Sequence, residues 1–386
     1  NKDLKIASAR MNELAALKRV DFANMFPQAT ARLNGNRETT NYGGDKFDAD
    51  SELSLTASIS WELDLWGNLR WARDRSTAEF LASVENCRAV KTGLVAQVAP
   101  SYFELMALDN ELAIVRRTLE ARREGVRLAE IRFKGGLTSE IVFQQAKVEL
   151  AKTATMVPDL ERRISLKESE IALLTGDFPY AVNRNILPEE IQLPNALPLG
   201  LPSTLLERRP DIRKAERELM AAHAEVGLAY TNMFPRLALT ATLGTASETL
   251  RDFLKSPYSY LAGNLLSPLF AMGKNRAALK AKRAAYEGAV AEYEQTVLTA
   301  FKETHDAIIN FNKIKDIYES RRQLAEASRT AVELAQLQYI NGVIGYLDLL
   351  DAQRNYFDAQ VSLSNAVGNK QLMIINLYKA LGGGWK

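Results

Sequence analysis

The chain has 386 residues, with 49 Lys plus Arg against 47 Asp plus Glu, a formal net charge of +2 and a hydrophobic fraction of 47%. That balance gives nucleic acid no electrostatic footing, and no run approaches the ~20 apolar residues of a spanning helix, so any membrane crossing must use strands. Cys87 is the only cysteine, which excludes an internal disulfide. The length fits two or three domains or one elongated body.

Residues 2–25 read as a helix, with Leu14, Leu17 and Val20 at helical spacing, ending before Pro27. The helical pattern is under way at Asn1, without a charged n-region and apolar h-region. A signal peptide and the mature N-terminus are therefore expected to lie outside this sequence. Residues 28–36 alternate as a strand, and the polar stretch 37–48, with Gly43-Gly44, reads as a surface loop. Residues 53–65 then alternate without a break: Leu53, Leu55, Ala57, Ile59, Trp61, Leu63 and Leu65 against Ser54, Thr56, Ser58, Ser60, Glu62 and Asp64. Strands usually run about 5–6 residues, so this ribbon, greasy on one face and wet on the other, is long. Trp61, Trp66 and Trp71 cluster at its downstream end, where an interfacial belt would sit. Alternation alone leaves both a soluble sandwich and a membrane barrel open.

From Gly67 a helical pattern runs to about Phe133, some 65 residues or close to 100 Å. Its Ala, Leu and charged residues suit coiled-coil-like packing. Lys134-Gly135-Gly136 breaks it, and the chain returns through residues 138–175. Residues 177–202 hold Pro179, Pro188, Pro194, Pro198 and Pro202, an irregular linker. The plan then recurs: helix 210–233, strand 236–244, loop 245–257, strand 258–270, helix 274–339, a break at Asn341-Gly342, helix 345–381. Tyr258 and Tyr260 join Trp61 and Trp66 as expected membrane-interface aromatics.

The recurrence is a tandem duplication. Asn24-Met25-Phe26-Pro27 reappears as Asn232-Met233-Phe234-Pro235, an offset of 235 − 27 = 208. Beyond it the offset is 206, as for Gly67 and Gly273, Phe80 and Tyr286, Gly136 and Gly342, and Ala146 and Ala352. One two-residue indel within a hairpin explains the change. The domain plan is a first repeat at 1–176, a linker at 177–208, a second repeat at 209–382 and a short end at 383–386.

Four amphipathic strands cannot close a barrel, which starts at about 8, and an open sheet is not tolerated in lipid. The strands must pair between subunits. Eight strands leave an interior filled by side chains, whereas more leave a wet lumen. The Ser, Thr, Asn and acidic faces favour three copies and 12 strands. The expected fold class is an α+β membrane protein, a trimeric 12-stranded β-barrel continued by an α-helical barrel.

Three motifs resemble those of the outer-membrane efflux channels of the TolC superfamily. They are Leu201-Pro202-Ser203-x-Leu205-Leu206-x-Arg208-Arg209-Pro210-Asp211-Ile212-x-x-Ala215-Glu216, Leu347-x-Leu349-Leu350-Asp351-Ala352-Gln353-Arg354, and Leu377-Tyr378-Lys379-Ala380-Leu381-Gly382-Gly383-Gly384-Trp385. They occur in order, and the duplication agrees across essentially the whole chain. The resemblance is strongest to the lipoprotein-type channels of tripartite drug-efflux pumps. It implies a homotrimer in the bacterial outer membrane with a helical tunnel in the periplasm. It also implies a periplasmic adaptor and an inner-membrane RND-type pump as partners, with no cofactor. Members of that subgroup carry a lipidated N-terminal cysteine, which Cys87, mid-helix, cannot be.

A passive tube needs a gate, expected where both helical hairpins turn. Asp348 and Asp351 are one turn apart and share a face; acids in a first helical turn also serve the macrodipole. The resemblance implies a constriction at Leu347 and Asp351, and in some members at Asp348. The positions matching Asp348 and Asp351 in the first repeat are Val142 and Gln145, so the acidic pair belongs to one repeat. The expected gate is Leu347 as an apolar plug, Asp348 and Asp351 as an acidic ring, and Tyr339 as support. The tips Lys134, Gly135, Gly136 and Asn341, Gly342, Val343 are the expected adaptor contacts. Arg116-Arg117, Arg122-Arg123 and Arg162-Arg163 read as solvated helix faces. His223 and His305 have no ligand partners at metal spacing, and no catalytic set or phosphate loop occurs, so an enzyme is not expected. A duct for type I protein secretion and a pore-free coiled-coil protein are the alternatives to drug efflux.

Overall fold

The computed structural model describes residues 1–40, 48–184, 206–248, 252, 255–268 and 272–383. Gly43-Gly44, residues 185–202 of the expected linker, the opening of the first motif (201–205), Phe270, Gly384 and Trp385 lie outside the described residues.

Helix α1 (Lys2–Ala23) leads into strands β1 (Gln28–Thr40) and β2 (Asp48–Leu63), then helices α2 (Asn68–Lys134) and α3 (Glu140–Thr175). The second round gives α4 (Pro210–Thr231), β3 (Arg236–Ser247), β4 (Pro257–Leu266), α5 (Lys274–Ile340) and α6 (Tyr346–Ala380). Helices α2 and α5 have 67 residues each, about 100 Å at 1.5 Å per residue. Strand β1 outlasts the expected end at residue 36, because its ladder with β2 continues to Thr40↔Asp48 although alternation has lapsed into a polar run. Strand β2 stops two residues short of Leu65. There the Asp64 carboxylate accepts the backbone N–H groups of Leu69 and Arg70, both at 3.0 Å, and so caps α2. Strand β4 ends at Leu266 rather than at residue 270, with Pro268 just beyond unable to donate to a ladder.

The contacts divide the chain into two compact units, each drawing on both repeats. One comprises Ala7–Cys87 and Asp211–Thr296 and holds a single antiparallel sheet, ordered β1-β2-β3-β4. Its register aligns Ala31, Ala57 and Leu243 across three strands, and Ala29, Ile59, Ala241 and Leu261 across four. Thr30, Ser58, Thr242 and Tyr260 align on the opposite face, where Ser58 and Thr242 hydroxyls bond at 3.0 Å. One face is therefore mostly apolar, with Thr245, Ser247 and Ser259 among its polar members, and the other is hydroxyl-rich. Leu33, Ile59, Leu243, Leu261 and Leu265, all on the apolar face, are exposed. Among the described residues β1 and β4 each pair on one edge only.

The other unit comprises Asn1–Ile6, Arg88–Pro210 and Val297–Lys386. Its core joins Leu105, Leu108, Leu112 and Val115 of α2 to Leu160, Ile164 and Ile171 of α3, with Val182 inserted from beyond α3. Arg184 fixes that segment by bonding Asp109 at 2.5 Å and Glu168 at 2.9 Å. Burial pushes the Asp109 carboxyl upward, against the pull of the Arg184 guanidinium. Around α6 the core is slighter: Ala307, Leu377 and Ala380, flanked by Ile308, Phe311 and Leu381.

Candidate functional site

Both hairpin tips are built alike. Gly136 (φ 71°) and Gly342 (φ 76°) supply the left-handed residue that ends α2 and α5. The next amides reach back, Leu137 N–H to the Arg132 carbonyl at 2.8 Å and Val343 N–H to the Gln338 carbonyl at 2.9 Å. Lys134 pairs with Glu130 at 2.8 Å on the surface, and Asn341 Nδ2 donates to the Leu337 carbonyl at 2.9 Å. Around these turns Leu137, Ile141, Leu337, Ile340 and Val343 are exposed, an apolar cluster that motif reading passed over.

Past the second tip, α6 opens with three of the four expected gate residues, unlike in environment, while Tyr339 lies at the end of α5 before the turn. Leu347 is 60% exposed while Leu349 and Leu350 are buried, so the plug candidate is the residue its helix turns outward. Asp348 accepts the Gly345 N–H at 3.0 Å, capping the helix start. Asp351 accepts the Asn355 side-chain amide at 3.1 Å. Both aspartates are exposed. Tyr339 lies edge-on to Tyr346, ring centroids 5.8 Å apart, and the Arg132 guanidinium sits 4.7 Å over the Tyr339 ring. The end of α2 is thereby tied to the turn between α5 and α6. Burial pushes the Tyr346 hydroxyl up.

One turn further along α6, Arg354 reaches a group that sequence reading missed. Glu149 of α3 is buried and accepts bonds from Arg354, from Arg122 of α2 at 2.6 Å and from Lys152 at 3.3 Å. Arg122 also donates to the Glu149 carbonyl at 2.8 Å and lies over Phe357 of α6. One carboxylate thus binds three helices. The Arg354 hydrogen bond, aided by Arg122, holds the Glu149 carboxyl down at about 2. This corrects the reading of Arg122 as a solvated residue: its side chain is 10% exposed. The other doublets fit that reading, since Arg116–Glu161 and Arg162–Asp159 are exposed surface pairs. The available signal was the buried stripe Ala146, Glu149, Thr153, Leu160, which places an acid among core positions.

At the foot of the sheet, Trp61 Nε1 donates to the Met25 carbonyl at 3.0 Å and Trp66 Nε1 to the Pro235 carbonyl at 2.8 Å. Trp66 also stacks on Phe234 at 5.1 Å. Trp61, opposite Leu239, belongs to the apolar face. Tyr258 and Tyr260 do not: their partners are Gly244 and Thr242, on the hydroxyl-rich face. The expected belt of four aromatics is therefore corrected, because the register turns both tyrosines to the side opposite Trp61.

Among the described residues no helix is long and apolar enough to cross a membrane, and no three His, Cys, Asp or Glu side chains gather to hold a metal. The family of outer membrane efflux proteins matches residues 1–177 and 201–383, one span per repeat. The chain is 32% identical to the solvent efflux pump outer membrane protein SrpC of Pseudomonas putida, covering 100% of this chain and 83% of the relative. It is also 32% identical to outer membrane protein OprJ of Pseudomonas aeruginosa, over 100% and 82%. The solved outer-membrane channel OprN superposes with a TM-score of 0.91 at 30% identity, covering 100% of this chain and 88% of that one. With the duplicated helix–strand plan, the two-faced sheet and these matches together, the chain belongs to the outer membrane efflux protein family.

Proposed function

We propose that the chain is the outer-membrane exit duct of a tripartite efflux pump, assembled as a trimer and passively conducting drugs and other small toxic compounds outward. The single observation that carries this reading is the sheet. Four strands with one face mostly apolar and bearing exposed leucines and Ile59, a hydroxyl-rich face and two unfinished edges suit lipid outside, water inside and a like sheet at either edge. Trp61, on the apolar face near its foot, and Trp66 just past it anchor the lipid boundary in this reading.

The gate follows from the α5–α6 turn. Leu347 projects as an apolar plug, Asp348 and Asp351 supply up to six carboxylates around a three-fold axis, and Tyr339 braces the turn against Arg132. At about 6 Å and an effective dielectric of about 20, each carboxylate pair costs roughly 3 kcal/mol, so the ring favours bound cations. The exposed apolar tips, with Lys134, Gly135, Gly136, Asn341, Gly342 and Val343 at their turns, suit adaptor hairpins, and an RND-type pump completes the assembly. Replacing Asp348 and Asp351 by alanine should raise single-channel conductance in planar bilayers and remove its sensitivity to divalent cations. Unchanged conductance and cation response would discard the acidic gate. Deleting the gene should increase drug susceptibility if the duct serves efflux.

A further inference from the structure

We propose that the cleft at the foot of β3 and β4 is a binding site, inside the duct, for small anions bearing phosphate or carboxylate groups; the reading rests on the duct described above. The cleft has a volume of about 860 Å³ and is lined by Arg75, Glu225, Arg236, Lys274 and Lys282, with Asn232 among its polar residues. Two of its four cations are already matched. Lys282 bonds Glu225 at 2.5 Å, and Arg75 faces Asp21 at 3.4 Å and Glu79 at 3.7 Å. The other two are not. Among the described residues Arg236 donates only to the neutral Asn232 side chain, at 2.8 Å, and Lys274 makes no ion pair. Lys274 also opens α5, whose first amides have no helical acceptors and carry the positive end of the macrodipole.

The duplication isolates these two charges. Arg236 corresponds to Gln28 at the 208 offset, and Lys274 to Asn68 at the 206 offset. At these two positions the first repeat carries uncharged residues, so the shared fold of the junction does not demand the cations. The register decides which way the site faces. Arg236 pairs with Leu266 and lies in phase with Thr240 and Thr242, on the hydroxyl-rich face rather than the apolar one. A guanidinium fork and a lysine over helix amides are the chemistry that holds a phosphate or carboxylate.

The test is single-channel recording of the full-length trimer with pyrophosphate as probe. Pyrophosphate should block the wild-type current, and R236Q/K274N, which installs the first repeat's own residues, should need about tenfold more for the same block. Lys274→Gln alone, at an exposed helix start, should fall between them. A conducting channel indifferent to pyrophosphate, or equal block in wild type and variants, overturns the site and leaves the duct standing. Phospholipid lost from purified R236Q/K274N with block unchanged would place the cations against lipid headgroups and overturn it as well. A trimer that never conducts sinks the duct and the site together.

Discussion

The two helical hairpins descend from one sequence and pack differently. Between α2 and α3, Leu105, Leu112, Val115, Leu160 and Ile164 form a continuous core. At the matching positions 206 residues on stand Phe311, Tyr318, Arg321, Ala366 and Lys370. The second pair has exchanged branched aliphatics for alanine, charge and rings, and its core shrinks accordingly. Meanwhile Leu298, Ile309, Ile317, Leu324 and Leu334 of α5 are left exposed. A hairpin with its own core is a wall, whereas one that lacks it depends on neighbours and opens at lower cost. The proposed gate residues sit on the second kind.

The largest expected effect breaks the tie between the two hairpins. Glu149→Ala removes the carboxylate that α2 and α6 share and leaves the buried Arg122 without its charged partner, keeping only its hydrogen bond to the backbone carbonyl at 149. Loss of about 3–5 kcal/mol is expected, read as a lowered unfolding midpoint of the trimer in detergent together with raised conductance. The same bond fixes a pH dependence. The Glu149 carboxyl titrates at about 2 in the folded chain, below its ordinary value of 4.5. Its contribution, about 3 kcal/mol at most, is therefore complete above about pH 5 and fades as the pH falls toward 2. Glu149→Gln should lower stability near neutrality by up to about 3 kcal/mol and flatten its fall over that acid window, so that the two profiles converge toward pH 2.

A second pair of substitutions sharpens the contrast in packing. Leu160→Ala opens a cavity in the first hairpin and should cost about 2–5 kcal/mol. At its counterpart the change is Ala366→Gly, which removes one methyl group and should cost about 1 kcal/mol, mostly helix propensity. Equal losses at the two positions, by chemical denaturation, would show that the hairpins are equally packed in the assembled channel.

What the sequence disclosed follows period and offset. Duplication, strand faces and helix lengths were legible because long regular elements impose alternation or a constant offset, as Gly136 and Gly342 or β2 illustrate. Strand ends were not, since β1 ends within a polar run and β2 yields to a cap at Asp64. Neither was the Glu149 cluster. Arg354 lies 205 residues from Glu149 in the chain, and Arg122 sits in a basic doublet that resembles two truly exposed ones. The tyrosines of β4 show the remaining weakness: aromatic type suggested a belt, but only the register with Gly244 and Thr242 assigns a face.

The smallest effect separates the two roles of Asp348. Its carboxylate caps α6 through the Gly345 N–H, while the matching residue of the first hairpin, Val142, cannot, and Ser139 there makes no side-chain cap either. Asparagine at 348 keeps an acceptor for that N–H and removes the charge. Stability should therefore shift by less than about 0.5 kcal/mol, with the helix start preserved. If Asp348 also belongs to an acidic ring, Asp348→Asn should still reduce cation selectivity, measured as reversal potential across a salt gradient. An unchanged reversal potential would confine Asp348 to capping and leave Asp351, which accepts the Asn355 side-chain amide, as the charged group of the proposed gate.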